Sequence, residues 1–370
     1  MPLDLPPAVL LDRAGGALLG LACGDALGVP YELAPRPAVD QPLSMSGGGL
    51  GNYQPGEWSD ETQLAVCLAE VTAAGGDLRQ DSGLNAFASR LFAWYRTRKG
   101  RDLGLFMSPL LAWACGDGRD TPDPTLPASQ RLAMSAAHLG PMRRHSPGGE
   151  VLALAPVLAL AYLGDEGAAA DAAAEVGTLL TADTDSVSGL VYFTALIRRA
   201  VLADPSEPWF SRLDFSGALE ALPVENRTVW QGLASDALAR YFQPPRDNSA
   251  LPAALSAALG AVGAARWETQ SDPLLNPFKV ALEAAVRNGG DTDTVAALTG
   301  ALMGAACGQA QIPAAWLREV HGWPGLDSEG LADLGRATAL IAFTEGGPAQ
   351  ALRALETLEA LAQVQQLTAD

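Results

Sequence analysis

The chain has 370 residues, 48% of them apolar and 18% charged, and 24 Lys and Arg against 42 Asp and Glu leave a formal net charge of −18. That is material for one large domain or two ordinary ones. Phosphate contacts need clustered cations, so the charge argues against a nucleic-acid binder. No run of about 20 uninterrupted apolar residues marks a membrane span. The apolar stretch from Gly15 to Ala22 lacks the basic start of a secretory signal. Four dispersed cysteines, Cys23, Cys67, Cys115 and Cys307, form no C-x-x-C pair and read as buried free thiols, which makes the cytoplasm the expected location.

Alanine, the strongest helix former, is abundant, and no convincing alternation of apolar and polar residues marks a strand. In chain order, Ser59-Asp60-Glu61-Thr62 opens a predicted helix over 62–74. Helical spacing continues over 150–163, 166–181, 186–202, 229–242, 250–266, 278–287, 294–309, 330–343 and 348–366. Pro and Gly clusters at 35–42, 47–56, 122–127, 205–208 and 244–245 punctuate these segments. No low-complexity linker divides the chain, so the reading is all-α, a single compact domain over residues 1–370.

One internal echo stands out. Residues 16–26, Gly-Ala-Leu-Leu-Gly-Leu-Ala-Cys-Gly-Asp-Ala, match residues 300–310, Gly-Ala-Leu-Met-Gly-Ala-Ala-Cys-Gly-Gln-Ala, at eight of eleven positions. Both copies carry glycine every fourth residue, on one face of a helix. Each glycine costs about 1 kcal/mol in a helix interior relative to alanine, so close backbone approach is the expected compensation. Two similar helices packed side by side or on common neighbours are predicted.

Each echo adjoins an acidic motif. Gly24-Asp25-Ala26-Leu27-Gly28-Val29-Pro30-Tyr31-Glu32 follows the first, and Asn288-Gly289-Gly290-Asp291-Thr292-Asp293-Thr294 precedes the second. Trp58-Ser59-Asp60-Glu61-Thr62 lies between them. Carboxylates interleaved with hydroxyls suit hard divalent cations, and two such clusters facing each other would make a two-metal site. The same residue types are ordinary helix N-caps, and Asp183-Thr184-Asp185-Ser186 looks just as metal-like. Residue types alone leave both readings open.

The order and flanks of these motifs resemble the ADP-ribosylglycohydrolase family over roughly residues 13–310. The resemblance implies an all-α, multi-helix orthogonal bundle with a central cleft holding two divalent cations, Mg²⁺ or Mn²⁺. It implies hydrolysis of the bond between ADP-ribose and an acceptor on a modified protein or small ADP-ribosyl compound, with nucleic acid only as a modified substrate. By the same resemblance Ser59, Asp60 and Glu61 ligate one metal, and Asp291, Asp293 and Thr294 supply the other wall. Glu32 is the expected general acid/base, supported by Asp102. Gly48 and Gly49, in a Gly-rich loop, and Gly148 and Gly149 are expected to border the substrate. The sequence departs from the family pattern at four places. Glu61 replaces an aspartate, Leu105-Phe106-Met107 replaces Thr-Thr-Arg, Ala153 replaces a basic residue, and Ala182 replaces a histidine. The acidic positions survive while substrate-contact positions change, which points to altered substrate preference. A non-catalytic nucleotide-binding relative is the alternative.

Overall fold

The computed structural model describes residues 5–98, 103–140, 147–245 and 247–342. Helices α1 (Pro7–Gly28), α2 (Asp60–Ala73), α3 (Asp81–Arg98), α4 (Met107–Ala114) and α5 (Ala128–Leu139) come first. Next are α6 (Ala155–Ala161), α7 (Glu166–Leu180), α8 (Thr184–Leu202), α9 (Val224–Ala239) and α10 (Leu251–Ser271). The last are α11 (Pro277–Arg287), α12 (Thr292–Cys307), α13 (Ala314–Glu319) and α14 (Ser328–Ile341). Two short strands, β1 (His321–Gly322) and β2 (Leu326–Asp327), pair antiparallel between α13 and α14. The architecture is all-α, and one contiguous apolar core runs from α1 to α14.

The differences from the sequence reading have local causes. Helix α3 is too poor in alanine to stand out by propensity, but Leu84, Phe87, Ala88, Leu91, Phe92 and Tyr95 bury one face at helical spacing. The segment predicted from 150 begins as a 3-10 turn, Gly149–Leu154, and becomes α6 only at Ala155, where Pro156 sits in the first turn. Pro223 starts α9 earlier than predicted. The helix predicted over 348–366 lies outside the described residues.

The centre of the fold is the pair α1 and α12, the two copies of the echo. They run antiparallel at backbone contact. A Cβ built on Gly16 would meet the Gly304 carbonyl oxygen, and one on Gly20 would overlap that of Gly300. One on Gly24 would overlap the Ala296 carbonyl, and one on Gly28 would strike Asp293 and Thr292. Small residues every fourth position let two helices close to this distance. α1 and the turn after it form a stretch apolar enough to cross a membrane by length and composition, and 78% of that window is buried inside the fold. α14, α2 and α8 also pack on α1, while α10, α11 and α8 pack on α12.

This contact sets the end of α1 against the start of α12. It predicts a strong contrast between two glycine-to-alanine changes measured by urea unfolding. Gly20→Ala should destabilise by at least about 1–3 kcal/mol, because its Cβ meets fixed backbone. Gly232→Ala, in α9 with nothing near the added Cβ, should be neutral or stabilise by up to about 1 kcal/mol.

Candidate functional site: an acidic cleft at the meeting of three helix ends

Three chain segments converge where α1 ends. Gly28 closes α1 against the first turn of α12, and the chain leaves through a 3-10 turn, Val29–Tyr31, into Glu32. The Leu33 amide then donates to the Gly290 carbonyl (2.8 Å), and Thr292 Oγ1 donates to the Gly28 carbonyl (2.8 Å). Gly289 and Gly290 both have positive φ (68° and 77°), which turns the chain sharply into α12 and presents Asp291 and Asp293. Carboxylate oxygens of Glu32, Asp291 and Asp293 lie within 4.8 Å of one another.

The opposite wall is the first turn of α2. Trp58 is fully buried behind it, its backbone amide donating to the His321 carbonyl (3.0 Å) and its indole to the Trp323 carbonyl (3.2 Å). Asp60 and Glu61 are both nearly buried and line the cleft. Glu61 spans the two walls: Thr294 Oγ1 donates to one oxygen (2.5 Å), and Ser59 Oγ lies 2.7 Å from the other. The extra methylene relative to aspartate is what gives this carboxylate its reach.

Cap geometry separates some of the residues that look alike in sequence. Asp165, Asp183, Asn276 and Asp327 each accept a hydrogen bond from the first turn of their own helix, as caps do. Asp183 is therefore a cap, and its metal-like sequence is incidental. Ser59 holds the same position on α2 and makes no such bond.

The α2 N-terminus is served instead by Asp25 of α1, fully buried. Its Oδ1 accepts from Ser59 N (2.8 Å) and Ser59 Oγ (2.5 Å), its Oδ2 from Thr62 N (3.0 Å) and Thr62 Oγ1 (2.6 Å). Asn248, also buried, performs a matching task on the other wall. It accepts from Asp291 N (2.9 Å) and donates to the Gly289 carbonyl (2.9 Å). Sequence reasoning assigned no role to either residue. The signal for Asp25 was its place one residue after a zipper glycine, where a charge on a buried helix needs partners. Asn248 follows Pro244 and Pro245 in a loop and carried no signal.

The cleft has a volume of about 630 Å³. Glu32, Asp60, Glu61, Glu150, Asp247, Asp291 and Asp293 line it, and among the described residues no Lys, Arg or His does. Leu33, Leu50, Leu103, Leu105 and Phe106 form its apolar side. Among the glycines expected to border substrate, Gly148 lines the cleft and Gly149 lies beneath it, where a Cβ would strike Thr294 and Ala254. Gly48 and Gly49 hold positive φ (90° and 61°) in a loop whose Leu50 is the residue that reaches the lining. Ser59 stands behind the wall, fully buried between Asp25 and Glu61. Neither Ala153, buried in the core, nor Ala182 is on the lining. Asp102 lies outside the described residues.

The electrostatics follow from crowding. Burial, then Glu61, Glu32, Asp291 and Asp25, hold Asp293 well above the usual carboxylate range. Burial and Glu61 push Asp25 and Asp291 up to about 7, against the hydrogen bonds each accepts. Buried carboxylates in an all-oxygen cluster are the donor set for a hard divalent cation, whose charge would relieve the repulsion. The residues present fit such an ion.

A sequence profile of the ADP-ribosylglycohydrolase family matches residues 6–347, and the chain belongs to that family. It is accordingly an ADP-ribosyl hydrolase. It is 28% identical over 317 residues to the ADP-ribosylarginine hydrolase Tri1 of Serratia proteamaculans (strain 568), covering 85% of this chain and 77% of that protein. It is 41% identical over 71 residues to the ADP-ribosyl-[dinitrogen reductase] glycohydrolase of Rhodospirillum rubrum, covering 18% and 24% respectively. A solved structure described as an ADP-ribosylglycohydrolase-related protein complex superposes with a TM-score of 0.66 at 25% identity, over 91% of this chain and 100% of that one.

The raised carboxyls predict the pH dependence of the metal-free protein. Between about pH 4 and pH 7 the folded state holds protons on Asp25 and Asp291 that the unfolded chain has released. Stability of the chelator-treated protein should therefore fall as pH rises through that window and be lowest above it. Thermal melts across pH 5–8 check this, and added Mn²⁺ should restore most of the loss at pH 8.

Proposed function

We propose that the cleft is a divalent-cation-dependent active site, holding two Mg²⁺ or Mn²⁺ ions, that releases ADP-ribose from a modified arginine side chain. The observation that carries this reading is the convergence of Glu32, Asp291 and Asp293 opposite Asp60 and Glu61. Asp60, Glu61, Asp291, Asp293 and Thr294 would hold the ions, with Glu32 at their edge. Bound there, the ions would bind the ribose hydroxyls and supply electrostatic stabilisation. The arginine acceptor is suggested by the name of the Serratia relative. The acidic lining supports it, since a guanidinium entering the cleft meets carboxylates.

The reaction breaks the bond between ribose C1 and the acceptor nitrogen and adds a water oxygen to C1. A proton goes to the leaving nitrogen and another leaves the attacking water. Glu32, at the mouth of the carboxylate group and partly exposed, is placed to move the proton at its carboxylate oxygen. Leu103 and Phe106 would exclude bulk water from the reacting centre on the apolar side. The described cysteines are all free, and we propose a reducing, cytoplasmic setting on that ground.

The test is release of ADP-ribose from ADP-ribosyl-arginine and, for comparison, ADP-ribosyl-serine substrates. Turnover on the arginine substrate should vanish with EDTA and return with Mg²⁺ or Mn²⁺. Glu32→Gln should lower kcat by roughly 10²–10⁴-fold while binding of ADP-ribose persists. Turnover undiminished by chelation contradicts the cation reading, and preference for the serine substrate contradicts the acceptor.

A further inference from the structure

We infer that Asp25, outside the cleft, is a positioning residue that registers the Asp60–Glu61 wall against the Asp291–Asp293 wall. The inference rests on the cation reading above.

Asp25 has no access to substrate, being fully buried and absent from the cleft lining. Its four hydrogen bonds all go to the first turn of α2, 34 and 37 residues away in sequence. The α2 N-terminus thus has a cap that belongs to another helix. That helix is the one whose Gly24 and Gly28 rest on Ala296 and on Thr292–Asp293 of α12. Asp25 therefore transfers the position of α12, and of its acids, to the first turn of α2. The Ser59 hydroxyl extends the link, lying 2.5 Å from Asp25 and 2.7 Å from Glu61.

The residue type is demanding. Two backbone amides and two hydroxyls converge on Asp25, and only a carboxylate offers acceptors on both sides. Asparagine would keep the shape but turn an NH₂ toward one pair of donors. An ordinary cap is usually a Ser, Thr, Asp or Asn from the helix itself. A fully buried carboxylate brought from a neighbouring helix is a costlier arrangement. It links the two walls, which a local cap could not do.

The experiment is Mn²⁺ titration of the metal-free full-length protein, followed by electron paramagnetic resonance. Asp25→Asn should raise the Mn²⁺ dissociation constant roughly tenfold or more, the range expected when a group that orients ligands is lost. Thr62→Val, a near-isosteric change that removes one donor to Asp25 and touches no cation ligand, should weaken binding in the same direction by a smaller factor. It carries the test if Asp25→Asn does not fold. Asp183→Ala removes an ordinary cap on α8 and should lower Tm without moving the Mn²⁺ constant, which separates positioning from general stability. Unaltered Mn²⁺ affinity in Thr62→Val and in folded Asp25→Asn overturns the positioning role alone. Absence of Mn²⁺ binding to the unaltered protein overturns both the cation site and the role built on it.

Discussion

The backbone contact between α1 and α12 is the constraint on which the rest depends. Gly16, Gly20, Gly24 and Gly28 lie against Gly304, Gly300, Ala296 and the Thr292–Asp293 turn. A side chain on any of the four α1 glycines would separate the helices. Conformational entropy makes glycine a poor choice inside a helix, so the repeated spacing marks a requirement for proximity. The consequence is local to one end. Where the zipper runs out, α1 delivers Asp25 and then Glu32, and α12 begins with Asp291 and Asp293. A packing motif thus sets the geometry of a charged cluster.

Around this pair, groups that look like helix caps have been put to another use. Ordinary caps such as Asp183 and Asp327 satisfy their own first turn. Ser59 does not, and a neighbouring helix supplies what α2 lacks. Asp25 serves α2, and Asn248 receives the Asp291 amide. Asp291 joins Asp293 and Glu32 in a group close enough to share an ion. Glu61 joins the walls through Thr294 and Ser59. Burial and mutual repulsion raise the Asp25, Asp291 and Asp293 carboxyls, an unfavourable state that a cation would reverse.

How much of this was legible follows from the range of the interactions. The echo of Gly16 to Ala26 at residues 300–310 exposed the helix pair, because close approach imposes a local, periodic residue choice. Order and flanks of the acidic motifs led to the family and, on the cleft lining, to Glu32, Asp60, Glu61, Asp291, Asp293 and Thr294. Asn248 was invisible because its role depends on where a loop passes in space. Asp25 lay inside a quoted motif, but its partners 34 and 37 residues away have no periodic relation to it. Helix α3 went unpredicted because packing of Phe87, Leu91 and Tyr95 outweighs mediocre propensity. The Leu105-Phe106 departure takes a place on the apolar side of the cleft. Ala153 and Ala182 do not touch the cleft, so they change it only by what is missing.

What stands to be measured is whether a divalent cation sits among the carboxylates of Glu32, Asp291 and Asp293. Anomalous diffraction at the manganese edge, from crystals grown with Mn²⁺, tests it most directly. A manganese peak should lie bounded by those three carboxylates, with any second peak on the Asp60–Glu61 side. A cleft without an anomalous peak in protein that turns over substrate would contradict it.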